Sequence, residues 1–515
     1  MNYVEYSYTG GWATPVLLIA VLAVPALGAL AVALLPARMD RGARLLATAF
    51  AAVTFVLTVL LAALRQPDFG YFDYGTGPLA LVPWADVNVP WVPALDVGFH
   101  LGVDAISYPL VVLTGLLTAL CCAYTVWKVP GGGRGRALAA LLLVLEVGIL
   151  GTFLALDLVL FFIFFEVVLL PMYAVIAGWG GPDRRRAARK FVLYTLFGSV
   201  LLLLGVFTVI VAAGTGDMVA LTGASDLSRT VQCSAFALFA IAFAVKAPLW
   251  PLHTWLPDAH TEAPTVGSVI LAGVLLKMGT YGLIRVGVGV VPEGAAWAAP
   301  VLGVLAVVAI IVGSLVCLRQ TELKRLIAYS SVGHMGFVML GIATLTVTGI
   351  QAALIGNVAH GIITGLLFFL AGAIKDRAHS GELSELGGLR ETAPRLAGVL
   401  GFAAIASLGL PGLAGFWGEA FAVVAAAQRG GPLWMTLAAV AAVGGALTAA
   451  YFLRLLRRVT HGPATPAVTG FAEISRPEWL AWSPLILLAL VVGLVPALVL
   501  AATAGPGAAL TGVLP

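Results

Sequence analysis

Apolar runs of about twenty residues, separated by short polar connections, recur along the whole chain. An α-helix of about twenty residues is long enough to cross the ~30 Å hydrocarbon core of a bilayer, so each run predicts a transmembrane helix. Fourteen are predicted, at 14–35, 44–64, 106–127, 137–155, 157–178, 191–212, 232–256, 264–286, 298–317, 326–345, 349–374, 396–427, 432–455 and 481–502. The expected fold is an all-α polytopic membrane protein. Composition agrees, since 61% of the 515 residues are hydrophobic and 10% charged, which excludes an ordinary soluble protein. The first run has no basic residue ahead of it and Arg38, Arg41 and Arg44 behind it, so it reads as a span and not as a cleaved signal.

Charge sets the orientation. Taken alternately, one set of loops carries 22 of the 28 lysines and arginines, among them the run Arg184, Arg185, Arg186, Arg189 and Lys190. The other set carries Arg65, Arg229, Arg285 and Arg429. The positive-inside rule places the rich set in the cytoplasm and both termini outside. A miscounted span would scramble this asymmetry. The net charge of +4 is therefore a topology signal and not a sign of nucleic-acid binding. Cys121, Cys122, Cys233 and Cys317 lie in or beside apolar runs without metal-ligand spacing, so they are expected to be core residues, with neither a zinc nor an iron–sulfur site. The glycine-rich stretch 131–135 follows no strand and reads as a flexible inner connection instead of a phosphate loop. The outer loop 65–105, rich in Pro, Gly, Trp and Asp, is expected to form a turn-rich cap.

The two remaining basic residues, Lys246 and Lys277, fall inside predicted spans. A charged side chain at the centre of a membrane helix costs roughly 2.5–3.5 kcal/mol on insertion scales, so an intramembrane lysine normally has a partner and a task. Pro248 and Pro251 follow Lys246 directly and break its helix. A lysine at a broken helix is the expected design of an ion-path site. Glu146 and Glu166 are the next buried charges; Glu166 is either protonated or paired, with Lys246 the evident partner. Glu146 reads equally as a second carboxylate on the path or as a neutral, hydrogen-bonded core group. Asp157, between two spans, reads as a helix cap. His334, His360 and Glu419 add titratable groups on further spans, and the segment 408–412, with Pro411 at its centre, breaks a second helix. The two breaks lie five spans apart, which predicts two five-helix repeats, 137–286 and 298–455, inverted in the membrane. Residues 1–136 would supply three preceding helices and the outer loop, and 456–515 a loop and the last helix.

The stretches FFEVVLLPMY, KFVLYTLFGS, KAPLWPLHTWLPDAHTEAPT, LLKMGTYGL, LKRLIAYSSVGHMGF, NVAHGIITG and SLGLPGLAGFWGE together resemble the antiporter-like subunits of respiratory complex I, the proton-translocating NADH-quinone oxidoreductase, and most closely its M-type branch. The L- and N-type branches and the D subunit of multisubunit sodium/proton antiporters typically carry lysine where this chain has Glu419. The L type adds a lateral helix after the last span. Gly333, Lys375 and Ser380 depart from the usual pattern and leave the charged set intact. The resemblance implies that Glu166 and Lys246 form the ion pair of one half, that Lys277 is the central relay, that His334 and His360 line a hydrated axis, and that Glu419 ends the second half. It also implies no redox cofactor in this chain, with NADH, FMN, iron–sulfur clusters and quinone held by partner subunits. L- and N-type neighbours in a bacterial inner membrane would complete the setting.

On this reading the chain moves protons. If Glu166 is drawn away from Lys246, the lysine releases its proton through water toward Lys277, and protons pass by His334 to Glu419. Uptake from the inner side would run past His253 and His260. A subunit of a cation/proton antiporter driven by ion gradients is the alternative, and a purely structural membrane-arm subunit is a third reading.

Overall fold

The computed structural model describes residues 13–64, 83–131, 133–222 and 227–512. Among them, thirteen helices are long and apolar enough to cross a membrane. The first six are α1 (Ala13–Leu34), α2 (Asp40–Leu60), α3 (Tyr108–Trp127), α4 (Gly135–Leu154), α5 (Leu158–Trp179) and α6 (Arg184–Ala213). The seventh predicted span stops early, as expected from its prolines. Helix α7 (Arg229–Lys246) ends on the lysine, turns occupy 247–254, and α8 (Trp255–Glu262) follows. Pro248 has no N–H for the Ala244 carbonyl, which accepts instead from Leu249 N at 2.9 Å; Val245 O accepts from the Trp255 indole at 2.9 Å. The break is thus closed by protein groups, as membrane depth requires.

Helix α9 (Thr265–Val288) comes next and is buried along its length, so it forms the axis of the molecule. Then follow α10 (Pro292–Arg319), α11 (Leu323–Thr344) and α12 (Val347–Ala378). At the twelfth predicted span stand two shorter helices, α13 (Pro394–Ser407) and α14 (Ala414–Arg429), joined by a turn containing Gly409 and Gly412, both at positive φ. Helix α15 (Gly431–Thr460) and α16 (Arg476–Leu494) follow. The last predicted span, 481–502, proves too long: α16 ends before Pro496, and a separate helix, α17 (Ala497–Gly512), packs back on the start of α12, where Gln351 donates to Leu500 O at 2.7 Å.

The outer loop is more ordered than a turn-rich cap. Strands β1 (Ala85–Val92) and β2 (Val97–Val103) pair antiparallel around a short turn with Asp96 in the left-handed region, while 65–82 lies outside the described residues. Turn-forming Pro and Asp dominate the composition and mask the alternation of Val87 and Val89 that suits a strand. The hairpin is fastened at three points. Asp157 caps α5 through Val159 N and Leu160 N, as expected, and its other oxygen accepts from Gly98 N. Leu156 N donates to His100 O. His100 itself stands between Asp217 and Asp86, at 3.1 and 3.2 Å. Burial works against its cation, but the bonds to Asp217 and Asp86 and their charges outweigh it and lift the imidazole to about 9.

Two short antiparallel bridges join loops in matching ways. Asp157 pairs with Asp217 ahead of α5, and Glu322 pairs with Glu382 ahead of α11; each residue at 157 and 322 also caps the helix that follows.

Candidate functional site

Lys277 sits at the middle of α9 with no exposed surface. The helix is locally widened into π-turns on both sides of it, at Leu271–Leu275 and Leu283–Val288. Such bulges free carbonyls from the regular ladder. The Lys277 ammonium donates to one of them, Ala272 O, and lies 2.6 Å from His360 Nδ1 on α12. Close helix approach makes that contact possible. A Cβ on Gly361 would stand 2.6 Å from Gly273 O, so α9 and α12 cross where neither carries a side chain, next to His360 and one turn before Lys277.

From His360 the row continues. The His360 and His334 ring centroids are 5.8 Å apart, and His334 Nδ1 lies 2.6 Å from Glu419 Oε1. Ser407, at the end of α13, meets the other His334 nitrogen at 3.0 Å. Lys277, His360, His334 and Glu419, predicted on four different helices, therefore form one row, with Lys277 and His360 buried and His334 and Glu419 partly exposed. A cavity of about 30 Å³ lies along it, room for a water molecule, with His334, His360, Thr364, Ser407 and Glu419 among its walls. The buried His360 Nε2 has no hydrogen-bond partner among the described residues. Nearby, Thr280 donates to Asn357 Oδ1, leaving Asn357 Nδ2 unpartnered.

The first half departs from expectation. Glu166 and Lys246 do not meet within ion-pair distance. Glu166 accepts from the Ser199 hydroxyl, and the buried Lys246 ammonium lies over the Phe165 ring, 4.5 Å from its centroid. Phe165 is packed in turn against Phe161 and Phe243. A desolvated cation over an aromatic face gains about 2 kcal/mol or more, which holds Lys246 one side chain away from the carboxylate. Spacing along the chain cannot distinguish these two arrangements, because Phe165 and Glu166 are neighbours. The end of α7 and the middle of α9 touch through the backbone: a Cβ on Gly279 would reach within 2.8 Å of Ala247 N.

Glu146 stands apart. It is fully buried, both oxygens lack protein partners, and it touches none of the row. The structure gives Glu146 no hydrogen bond of the kind the core-group reading expects. His260 stacks on Phe368 with centroids 4.3 Å apart, and neither ring nitrogen is bonded. His253 packs edge-on to Tyr329 beside the Lys190–Asp258 pair. Neither histidine touches a lysine of the row. A larger cavity, about 360 Å³, opens on the arginine-rich face between Tyr124, Lys128, Glu262, Lys324 and Asp376. Buried Lys324 donates there to Ala263 O at 3.0 Å, at the C-terminal end of α8.

Several of these side chains escaped the sequence reading. Ser199 and Ser407 are polar residues in apolar runs, which is a real but common signal in membrane helices. Arg285, counted with the outer loops, lies inside α9 and pairs with buried Asp104.

The family described as NADH:quinone oxidoreductase/Mrp antiporter, transmembrane, matches residues 155–445 of this chain. The chain is 40% identical over 473 residues to NADH-quinone oxidoreductase subunit M of Rhodobacter capsulatus, covering 89% of this chain and 88% of that one. A chain of respiratory complex I from Thermus thermophilus, solved with bound NADH, superposes with a TM-score of 0.83 at 30% identity, covering 96% of this chain and all of that one. A chain of the Mrp complex from Dietzia superposes with a TM-score of 0.80 at 24% identity, covering 96% of this chain and 52% of that one.

Proposed function

The chain belongs to the NADH:quinone oxidoreductase/Mrp antiporter transmembrane family, and from that premise we propose that it carries protons across the bilayer along this row, as the M-type membrane-arm subunit of a complex I. The Mrp likeness is a likeness of fold, whereas the relatives at 40% identity over nearly the whole chain are subunits of the oxidoreductase. The chain is accordingly a multi-pass subunit of an oxidoreductase complex. NADH, FMN, iron–sulfur clusters and quinone belong on this reading to partner subunits, and L- and N-type neighbours flank it in a bacterial inner membrane with both termini outside.

One observation carries the proposal: Lys277, His360, His334 and Glu419 follow one another through contacts of 2.6, 5.8 and 2.6 Å inside a membrane protein. Each of these groups can take and give a proton, and titratable chains of this kind mark proton relays. The electrostatic logic is that of a displaced charge. Burial disfavours an ammonium, and a nearby carboxylate favours it. Glu166 is the chain neighbour of Phe165, whose ring carries the Lys246 ammonium. Moving Glu166 toward or away from Lys246 then alters how firmly Lys246 holds its proton. When released, that proton travels toward Lys277 and along the row to Glu419.

Lys246→Arg tests the relay against a structural role. Arginine keeps a cation over the Phe165 ring but is not deprotonated in proteins. The complex should assemble, while NADH-driven proton uptake in reconstituted vesicles and quinone reduction fall together, by about two orders of magnitude for a lost proton-transfer group. Normal pumping by an assembled arginine variant would refute a proton-releasing role for Lys246.

A further inference from the structure

We propose that Ser407 is the positioning residue that lets His334 change its protonation state without losing a hydrogen-bond partner, and that it ties the broken helix α13–α14 to the relay. The inference rests on the proton-relay reading above and adds a residue that reading does not use.

His334 is held from both halves of the break. Glu419 of α14 lies 2.6 Å from Nδ1, and Ser407, the last residue of α13, lies 3.0 Å from Nε2. Ser407 is buried, and His334 is the side-chain partner of its hydroxyl. An ionised Glu419 oxygen at 2.6 Å requires a proton on Nδ1. Neutral His334 then presents a bare Nε2 lone pair, and the serine O–H donates to it. When His334 takes a second proton, Nε2 becomes a donor. A hydroxyl is both donor and acceptor and rotates, so Ser407 reverses its role, accepting from Nε2–H while its own hydrogen turns toward the small cavity that both residues line.

His360 has no such device. Its Nε2 faces protein space without a partner, and the adjacent cavity is the size of one water. The two histidines of the row therefore differ: among the described residues Nε2 of His334 meets a side-chain hydroxyl and Nε2 of His360 meets none. The titratable groups around His334 are Glu419 on α14 and His360 on α12, with Lys277 on α9 behind His360. Tyr451 on α15 is within electrostatic reach of Glu419, and the neighbouring Phe452 stacks on His334.

Removing the hydroxyl leaves Nε2 bare in both states, and an unsatisfied N–H of a cation costs more than an unsatisfied lone pair of a neutral ring. Ser407→Ala should therefore lower the proton affinity of His334 by about tenfold, or about one pH unit. In assembled complex reconstituted in vesicles, the pH profile of NADH-driven pumping should move about one unit toward acid, with a slower rate at neutral pH, and Ser407→Thr should restore both. A purely packing role would leave the profile of the assembled Ala variant in place. That result, or failure of an assembled Thr variant to restore the profile, overturns the inference. If Ser407→Ala does not assemble, Ser407→Cys replaces it: similar in size and a poorer hydrogen bonder, it should give a partial displacement, and an unmoved profile refutes the role. Glu419→Gln, measured alongside, separates the two levels. If it pumps normally, the relay reading itself falls. If it is inactive while Ser407→Ala behaves as wild type, only the assignment of Ser407 falls.

Discussion

Glu419 stands where two spaces meet. One oxygen contacts His334 at the small cavity of the row, and the same side chain lines a second cavity of about 380 Å³ bounded by Phe337, Gly409, Phe416 and Ala442. A carboxylate between that histidine and a wider space is suited to pass a proton out of the row. Glu419→Gln keeps the size and the bond to His334 but removes titration. Redox-linked pumping should fall by about two orders of magnitude, the scale of a lost proton-transfer group, with assembly unchanged on a native gel. Glu419→Lys should be tolerated better than Gln, because lysine also titrates. Full coupled activity in the Gln variant would show the residue to be packing. The same logic explains why Lys246 is held over Phe165: a cation near, but not bonded to, its carboxylate can be tuned by a small displacement, whereas a tight buried pair resists separation.

Among the elements, the β-hairpin and α9 do opposite things. Helix α9 surrenders regular geometry on both sides of Lys277, where π-turns supply the carbonyl that meets the ammonium. The hairpin β1–β2 is rigidly stitched to the loops ahead of α5 and after α6, with His100 between two carboxylates. Burial pushes Asp217 upward, but its bond to His100 and that charge reverse the effect and leave it below the ordinary carboxylate value. Because His100 is raised from 6.5 to about 9, its contribution is complete below about pH 6.5, declines as pH rises, and is lost above about 9. Hydrogen exchange of the hairpin amides, corrected for intrinsic rates, should show protection at pH 7 that weakens through pH 9. His100→Gln should lower protection at pH 7 and flatten the dependence. An equal pH slope in both proteins would rule out the imidazolium as the clamp.

At the scale of the molecule, the fully buried α9 packs among twelve other long apolar helices and the broken pair α13–α14 in the described residues. Their outer faces carry large apolar residues such as Leu170, Leu193, Val211 and Leu487, each more than half exposed, as lipid or neighbouring subunits require. With Arg285 inside α9, the loop charge count is 22 against 3 and predicts which way this body sits. The loop 178–190 should be inside and the C-terminal segment 503–515 outside. A single engineered cysteine in each, probed with a membrane-impermeant label, checks it; equal accessibility from one side would defeat the fourteen-span topology.

The sequence by itself determined the membrane class, nearly all the helices, both breaks and the titratable set. Each rests on a local property: about twenty apolar residues span a bilayer, proline and glycine interrupt a helix wherever they stand, and a charge in an apolar run is conspicuous in any fold. Tertiary structure alone decided who meets whom. Lys277 found His360 because two glycines allow α9 and α12 to touch, and Lys246 found the Phe165 ring in place of Glu166. Ser407 and Ser199 acquired their partners, while Glu146, no less conspicuous in the chain than Glu166, was left without one. The hairpin, too, emerged from the β1–β2 pairing and its ties to His100, Asp157 and Asp217. Contacts between side chains tens of residues apart depend on how helices cross and rotate, and no periodicity within one helix encodes the rotation of another.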